Sequence, residues 1–349
     1  MYKEKTVLQA LMGLDIGGAE THVIELSIEL KKRGYRVIVA SNGGDYEDVL
    51  KNAGVETVKV PLHTKNPAAV IKSLIILNDL IKKENIKLVH AHARIPAFLL
   101  SLLKKKHGFD MITTAHFTFH VNLLLKYLTQ WGDRVFVVSD DIRNYLKNIY
   151  SIPDGRIYGT INGINLDKFK PTNNLERRGI LHVSRLDDDT SLVAEKLIEY
   201  GRAHDNILIT IVGDGSQLNN LKKQAAGLNN VVFAGRVLNV GEYLDKAQIF
   251  VGVSRAALEA MCYNMPVIIA GNFGYMGILD ESKLELAEFN NFTARNTNLV
   301  TYEDLERDID FLLKNDQDCR WEREYVKNNY SVEIMVDKYE EVYKLYLGE

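Results

Sequence analysis

Cysteine is nearly absent: the 349-residue chain has two, Cys262 and Cys319, too few for a disulfide framework and placed in no metal-like cluster. No apolar run approaches the roughly 18–20 residues needed to span a bilayer. The opening Met1-Tyr2-Lys3-Glu4-Lys5 has no signal-peptide core, so a cytoplasmic protein is expected. An excess of one charge is also missing. With 43 basic and 46 acidic side chains the net charge is −3, which does not fit a nucleic-acid binder. The charge is uneven, however. Residues 1–170 hold 24 Lys and Arg against 17 Asp and Glu, and the remainder 19 against 29. The first half suits an anionic acceptor or membrane surface, or it carries scattered solvated lysines. There is no internal repeat or low-complexity tract, and no G-x-G-x-x-G fingerprint. Gly213-Asp214-Gly215 follows a strand but lacks the third glycine, which argues against NAD.

What the chain does have is alternation. Short apolar runs at 6–12, 36–40, 55–60, 88–92, 111–114, 135–139 and 157–161 are separated by helical patterns. In the first helix Ala19, Val23, Leu26 and Leu30 share a face, and Gly34 stands where a C-cap belongs. Residues 162–178 carry Gly163, Pro171 and Thr172-Asn173-Asn174, the chemistry of a linker. A second series of strands follows at 180–183, 207–212, 231–234, 249–253 and 267–269. Such alternation predicts two doubly wound parallel-sheet α/β domains. A last helix, 332–347, shows an apolar stripe of Val332, Val336, Tyr339, Val342, Tyr343 and Tyr346 that something must cover.

Open α/β sheets bind ligands at the carboxyl ends of their strands. Gly17 and Gly18 lie at such an end before a helix, where backbone N–H groups can reach an anion. Glu259, expected in the first turns of a helix that precedes a buried strand, can accept both hydroxyls of a ribose, or it merely improves the helix dipole. His90, His92 and His116 all fall at strand ends. His90 and His92 lie two apart on one strand with no Cys, Asp or Glu beside them, so structural roles fit them better than zinc. Asp187-Asp188-Asp189 reads as a helix-entry cluster. The run 98–106, apolar and ending in three lysines, reads as a core helix with a charged last turn or as a membrane-surface helix.

Gly17-Gly18-Ala19-Glu20, His90-Ala91-His92, Thr114-Ala115-His116, Val138-Ser139, Asn162-Gly163-Ile164, Ser184-Arg185-Leu186-Asp187, Gly213-Asp214-Gly215 and Leu258–Met261 stand together in one order along most of the chain. In that order and spacing the sequence resembles the glycosyltransferases of family 4. The resemblance implies the GT-B architecture: two facing Rossmann-like domains with a C-terminal helix crossing back. The N-terminal domain (1–170) would take the acceptor and the C-terminal domain (171–330) the nucleotide-sugar donor, with the helix at 331–349 packing on the N-terminal domain. The implied activity is retaining, needs no metal or cofactor, and moves a hexosyl or N-acetylhexosaminyl group to a cell-envelope, lipid-linked or protein-linked glycan acceptor. A peripheral contact with the inner face of the membrane goes with it.

By the same resemblance Arg185 grips the donor diphosphate, and His116 meets the transferred sugar or the reacting centre. Glu259 holds ribose, and Val237 beside Arg236 offers its backbone to the base. Gly17, Gly18, Gly213 and the segment Arg255-Ala256-Ala257-Leu258-Glu259 complete the donor site. The sequence departs from the family pattern twice. Thr190 stands where a second phosphate-binding Lys is usual, and Val251 occupies the position eight before Glu259 where a sugar-reading Glu is usual. Arg255 is the candidate replacement for the missing cation. These departures keep open a non-catalytic partner protein, and the architecture also fits a nucleotide-sugar epimerase.

Overall fold

The computed structural model describes residues 5–172 and 176–348. The expected start at Met1–Glu4 and the linker residues Asn173 and Asn174 lie outside the described residues. The chain forms two compact units, Met1–Gly163 with Val332–Glu349 and Ile164–Ser331.

In the first unit, seven parallel strands, β1 (Thr6–Ala10), β2 (Arg36–Ser41), β3 (Glu56–Lys59), β4 (Leu88–Ala91), β5 (Asp110–Ala115), β6 (Arg134–Val137) and β7 (Ile157–Gly159), stand in the order β3-β2-β1-β4-β5-β6-β7. Both faces are covered. Val7, Val37 and Val39 pack under the helix Gly18–Lys32, while Leu8, Ile38 and Val89 pack under the helices Pro67–Lys83 and Arg94–His107. That double burial is why the strands read as unbroken apolar runs rather than alternating ones. The helix Gly18–Lys32 ends where Gly34 turns left-handed at φ 87° and Tyr35 N–H donates to Leu30 O at 3.0 Å, a glycine C-cap.

The terminal helix Val332–Leu347 fills one face of this sheet. Val332, Met335, Val336, Tyr339, Val342 and Tyr343 are buried in the same core as Val7 and Phe136. The stripe seen in the sequence is therefore covered by the first unit. The boundary between the units falls at Gly163, earlier than the expected 170, because Ile164 and Phe169 are buried with the second unit. There Ile164 N–H donates to Tyr330 O at 2.7 Å, and the Arg323 guanidinium donates to the carbonyls of Leu166 and Phe169.

The second unit is a six-stranded sheet in the order β10-β9-β8-β11-β12-β13. Its strands are β8 (Ile180–Val183), β9 (Ile209–Val212), β10 (Val231–Gly235), β11 (Ile249–Gly252), β12 (Val267–Gly271) and β13 (Gly274–Ile278). β13 is not evident in the sequence and runs antiparallel to β12. Gly274 and Gly277 interrupt its apolar pattern, and Gly277 takes φ 72°. The sheet order reverses direction beside β1/β4 in one unit and β8/β11 in the other. Those are the switch points at which connections diverge to opposite faces and leave a crevice at the strands' carboxyl ends.

Candidate functional site

At the carboxyl end of β1, Gly17 is the N-cap of the helix Gly18–Lys32 and its φ of −173° is ordinary extended backbone. Gly17 is thus not required by conformation. The Glu20 carboxylate occupies the space a Cβ on Gly17 would take, while the space beside Gly18 is open. An internal carboxylate already uses part of the helix end expected to receive a phosphate, and the approach that stays clear is over Gly18.

The ends of β4 and β5 bring His92 and His116 together, with His92 Nδ1 3.4 Å from His116 Nε2. His116 is half-buried, and burial pulls its imidazole down to about 4 from an ordinary 6.5. His90 and His92 are also held well below the ordinary value, first by burial and then by neighbouring histidines. Both nitrogens of His90 have partners, Tyr343 OH at 2.5 Å and Thr114 Oγ1 at 2.7 Å. His92 Nε2 meets Gln9 Oε1 at 2.7 Å. On the other side Thr114 Oγ1 lies 3.0 Å from Tyr339 OH, which lies 2.8 Å from His22 Nε2. The set includes residues to which the sequence assigned no site role: Gln9, His22, and Tyr339 and Tyr343 of the terminal helix's stripe. Gln9 carried a signal, since it is the one polar side chain between apolar neighbours near the end of β1 and is fully buried.

In the second unit the strand ends β8, β9 and β10 bring together three loops. Arg185 follows β8 with its side chain 64% exposed, its nearest carboxylate being Asp187 at 3.9 Å. Gly213, at φ 143° after β9, has a packing reason: a Cβ there would strike Ser184 O. Arg236 is exposed and Val237 half-buried just past β10. The acidic run is engaged within the unit, Asp187 Oδ1 accepting from Ser216 N at 2.9 Å and Asp188 accepting from Gln217. Thr190 closes a turn, its Oγ1 3.1 Å from Asp187 N.

After β11 comes the helix Ser254–Met261, with Glu259 in its second turn, within the first turns expected for it. Its carboxylate reaches back toward the N-terminus, as helical side chains do, and meets Arg255 Nε at 2.9 Å. Both side chains are buried, at 6% and 8% exposure for Arg255 and Glu259. Arg255 is thus a buried side chain paired with Glu259 through Nε, not an exposed cation. Ala257 and Leu258 bury their side chains completely, so of this segment only backbone groups and the half-buried Ala256 remain for a ligand. Val251 is a buried strand residue whose carbonyl accepts from His182 Nδ1 at 2.8 Å. A single residue, Val253, separates β11 from the helix. No loop exists there to carry a second glutamate.

Each half-site thus stands at the carboxyl ends of strands beside a switch point. Two family profiles match the chain: Glycosyltransferase Family 4 over residues 16–168 and Glycosyl transferases group 1 over residues 177–290. The chain belongs to this glycosyltransferase family. Among similar proteins is the UDP-Gal:alpha-D-GlcNAc-diphosphoundecaprenol alpha-1,3-galactosyltransferase of Escherichia coli, 25% identical over 88% of each chain. Another is a phosphatidylinositol N-acetylglucosaminyltransferase component of Arabidopsis thaliana, 23% identical over 78% of this chain and 68% of that one. A glycosyltransferase structure from Rickettsia africae superposes with a TM-score of 0.78 at 22% identity, covering 100% of both chains. Anabaena HepE in complex with UDP and glucose gives 0.77 at 14% identity over 97% of this chain and 99% of that one. At these identities the structures speak for the fold, which is that of the GT-B glycosyltransferases.

Proposed function

We propose that this glycosyltransferase moves a hexosyl or N-acetylhexosaminyl group from a nucleotide sugar, with retention and without a metal, to a glycan carried by a lipid or protein. The second unit takes the donor and the first the acceptor. The observation that carries this reading is the position of Arg185, Gly213, Arg236, Val237 and Glu259 at the carboxyl ends of four neighbouring strands of one sheet. An exposed guanidinium and helix N–H groups are the means by which a site without a cation cofactor meets charge developing on a leaving diphosphate. Glu259, held by Arg255, is the carboxylate that would meet ribose. His116, neutral at pH 7, serves as a hydrogen-bonding partner of the sugar rather than as a cation.

A lipid-linked acceptor would place the protein at the inner face of a membrane. No helix among the described residues is long and apolar enough to cross one. The run 98–106 does not supply the contact, since Leu99, Leu100 and Leu103 are buried in the core. A better candidate is the short helix Leu123–Leu128, on which Leu123, Leu124 and Tyr127 are 76%, 66% and 78% exposed around Lys126.

Incubation with a panel of nucleotide sugars, with and without EDTA, tests the proposal. Donor-dependent nucleotide release that needs an acceptor and survives EDTA is expected. Conversion of the donor with no acceptor would indicate an epimerase instead. Donor binding without any turnover would favour a non-catalytic partner protein, the reading that Thr190 and Val251 motivate.

A further inference from the structure

The buried polar residues of the first unit form one continuous chain: His116, His92, Gln9, Tyr343, His90, Thr114, Tyr339, His22 and Asn162, each within 3.4 Å of the next. None of these residues is an acid, a lysine or an arginine. Burial keeps the histidines His90, His92 and His116 neutral at pH 7, so each of those rings has one N–H and one lone pair. With one proton per link, the chain can run in only two directions, and fixing any link fixes the rest.

Gln9 fixes it. Its Oε1 faces His92 and its Nε2 faces Tyr343 OH at 3.2 Å. The oxygen can only accept, so His92 Nε2–H donates to it, and His92 Nδ1 is left as an acceptor. His116 Nε2 must then be the donor across the 3.4 Å contact, which leaves Nδ1 of His116 with the lone pair. In the other direction the Gln9 amide donates to Tyr343 and Tyr343 donates to His90 Nδ1. His90 Nε2–H then donates to Thr114, Thr114 to Tyr339, and Tyr339 to His22 Nε2. The last ring nitrogen, His22 Nδ1, is left to donate to Asn162 Oδ1 at 3.4 Å. Each link in this direction pairs a donor with an acceptor.

We propose that Gln9 is a positioning residue for transfer: through His92 it holds His116 as the Nε2–H tautomer, so that His116 accepts a hydrogen bond at Nδ1 from a substrate hydroxyl. The terminal helix takes part, because Tyr343 accepts from the amide on its far side and Tyr339 carries the chain on from Thr114 to His22. This rests on the reading of His116 as a substrate-facing residue given above, and it adds which atom does the work and what sets it.

Histidine-selective 15N labelling of the full chain, without substrate, reports the tautomer directly, His116 being assigned by the signals lost in His116→Ala. The expected spectrum at pH 7.5 has a protonated Nε2 and an unprotonated Nδ1 on His116. Gln9→Leu removes the acceptor for His92 and should mix the two forms. Tyr343→Phe keeps the packing but releases the amide, and should move the signals the same way if Gln9→Leu fails to fold. In both variants kcat should fall on the order of tenfold, less than the roughly 10²–10⁴ that a proton-transferring group supplies, with the donor KM unchanged. A His116 protonated on Nδ1 in the unaltered protein, or a tautomer that neither variant moves, overturns the proposal. If the tautomer shifts as expected while His116→Ala leaves turnover intact, the polarised chain stands and the substrate-facing role of His116 falls.

Discussion

Arg255 and Glu259 are four residues apart on one helix, joined at 2.9 Å and both buried. Removing one partner of such a pair leaves an uncompensated charge out of water. Arg255→Ala should therefore lower stability by about 3–5 kcal/mol, read as a fall in the urea midpoint. Glu259→Gln keeps the shape and should weaken nucleoside diphosphate binding by about 1–3 kcal/mol, measured by calorimetry on folded protein. Unchanged affinity would make the pair purely structural. Arg185 behaves oppositely. At 64% exposure and 3.9 Å from Asp187 it contributes little to the fold, so Arg185→Ala should leave the melting temperature alone and lower kcat more than it raises the donor KM. At this scale the sequence showed which residue types are present and roughly where. It could not show that Arg255 already has a partner, because an i, i+4 spacing is equally that of two residues sharing one ligand.

The element that most shapes the first unit is the terminal helix. Its tyrosines reach the ends of β1, β4 and β5 and tie them into one hydrogen-bonded set. A pH dependence follows from the buried histidines. His116 and His182 are pulled by burial to about 4, from 6.5, and burial holds His90 and His92 well below 6.5 too. Folded, they stay neutral; unfolded, they take up protons below pH 6.5. Stability is thus complete above about pH 6.5 and is lost as the pH falls toward 4. For His182, which is 2% exposed, the loss at pH 5 is on the order of 2 kcal/mol, at 1.36 kcal/mol per pKa unit. Urea midpoints at pH 7.5 and 5 check this, and equal values would contradict it. The helix Leu123–Leu128 carries a separate expectation. Leu123→Ser with Leu124→Ser should reduce sedimentation with anionic-lipid vesicles while leaving turnover on a soluble acceptor unchanged. The sequence predicts a helix around 121–130, and Leu123–Leu128 lies within it, but six residues show no periodicity to mark an exposed apolar face, and burial alone tells the run at 98–106 from a surface helix.

For the whole molecule, the chain leaves its first unit at Gly163 and returns at Val332. Ending it at Ser331 should therefore unfold the first unit, which loses the helix filling one face of its sheet. The second unit should still bind nucleotide. A donor nucleotide bound to the intact protein at about 100 times its Kd should stabilise it by about 2.7 kcal/mol, by mass action. Loss of both units on truncation would show that they fold only together. The sequence by itself determined the alternation of strands and helices, the apolar stripe of the last helix, the two glycine-rich strand ends and the order of the family's motifs. These are local patterns, written in neighbouring residues by burial and turn geometry. Tertiary structure decided the rest. It placed Gln9 against His92, gave Arg255 to Glu259, buried Val251 and added β13, because hydrogen-bond partners and burial are set by residues far away in the chain.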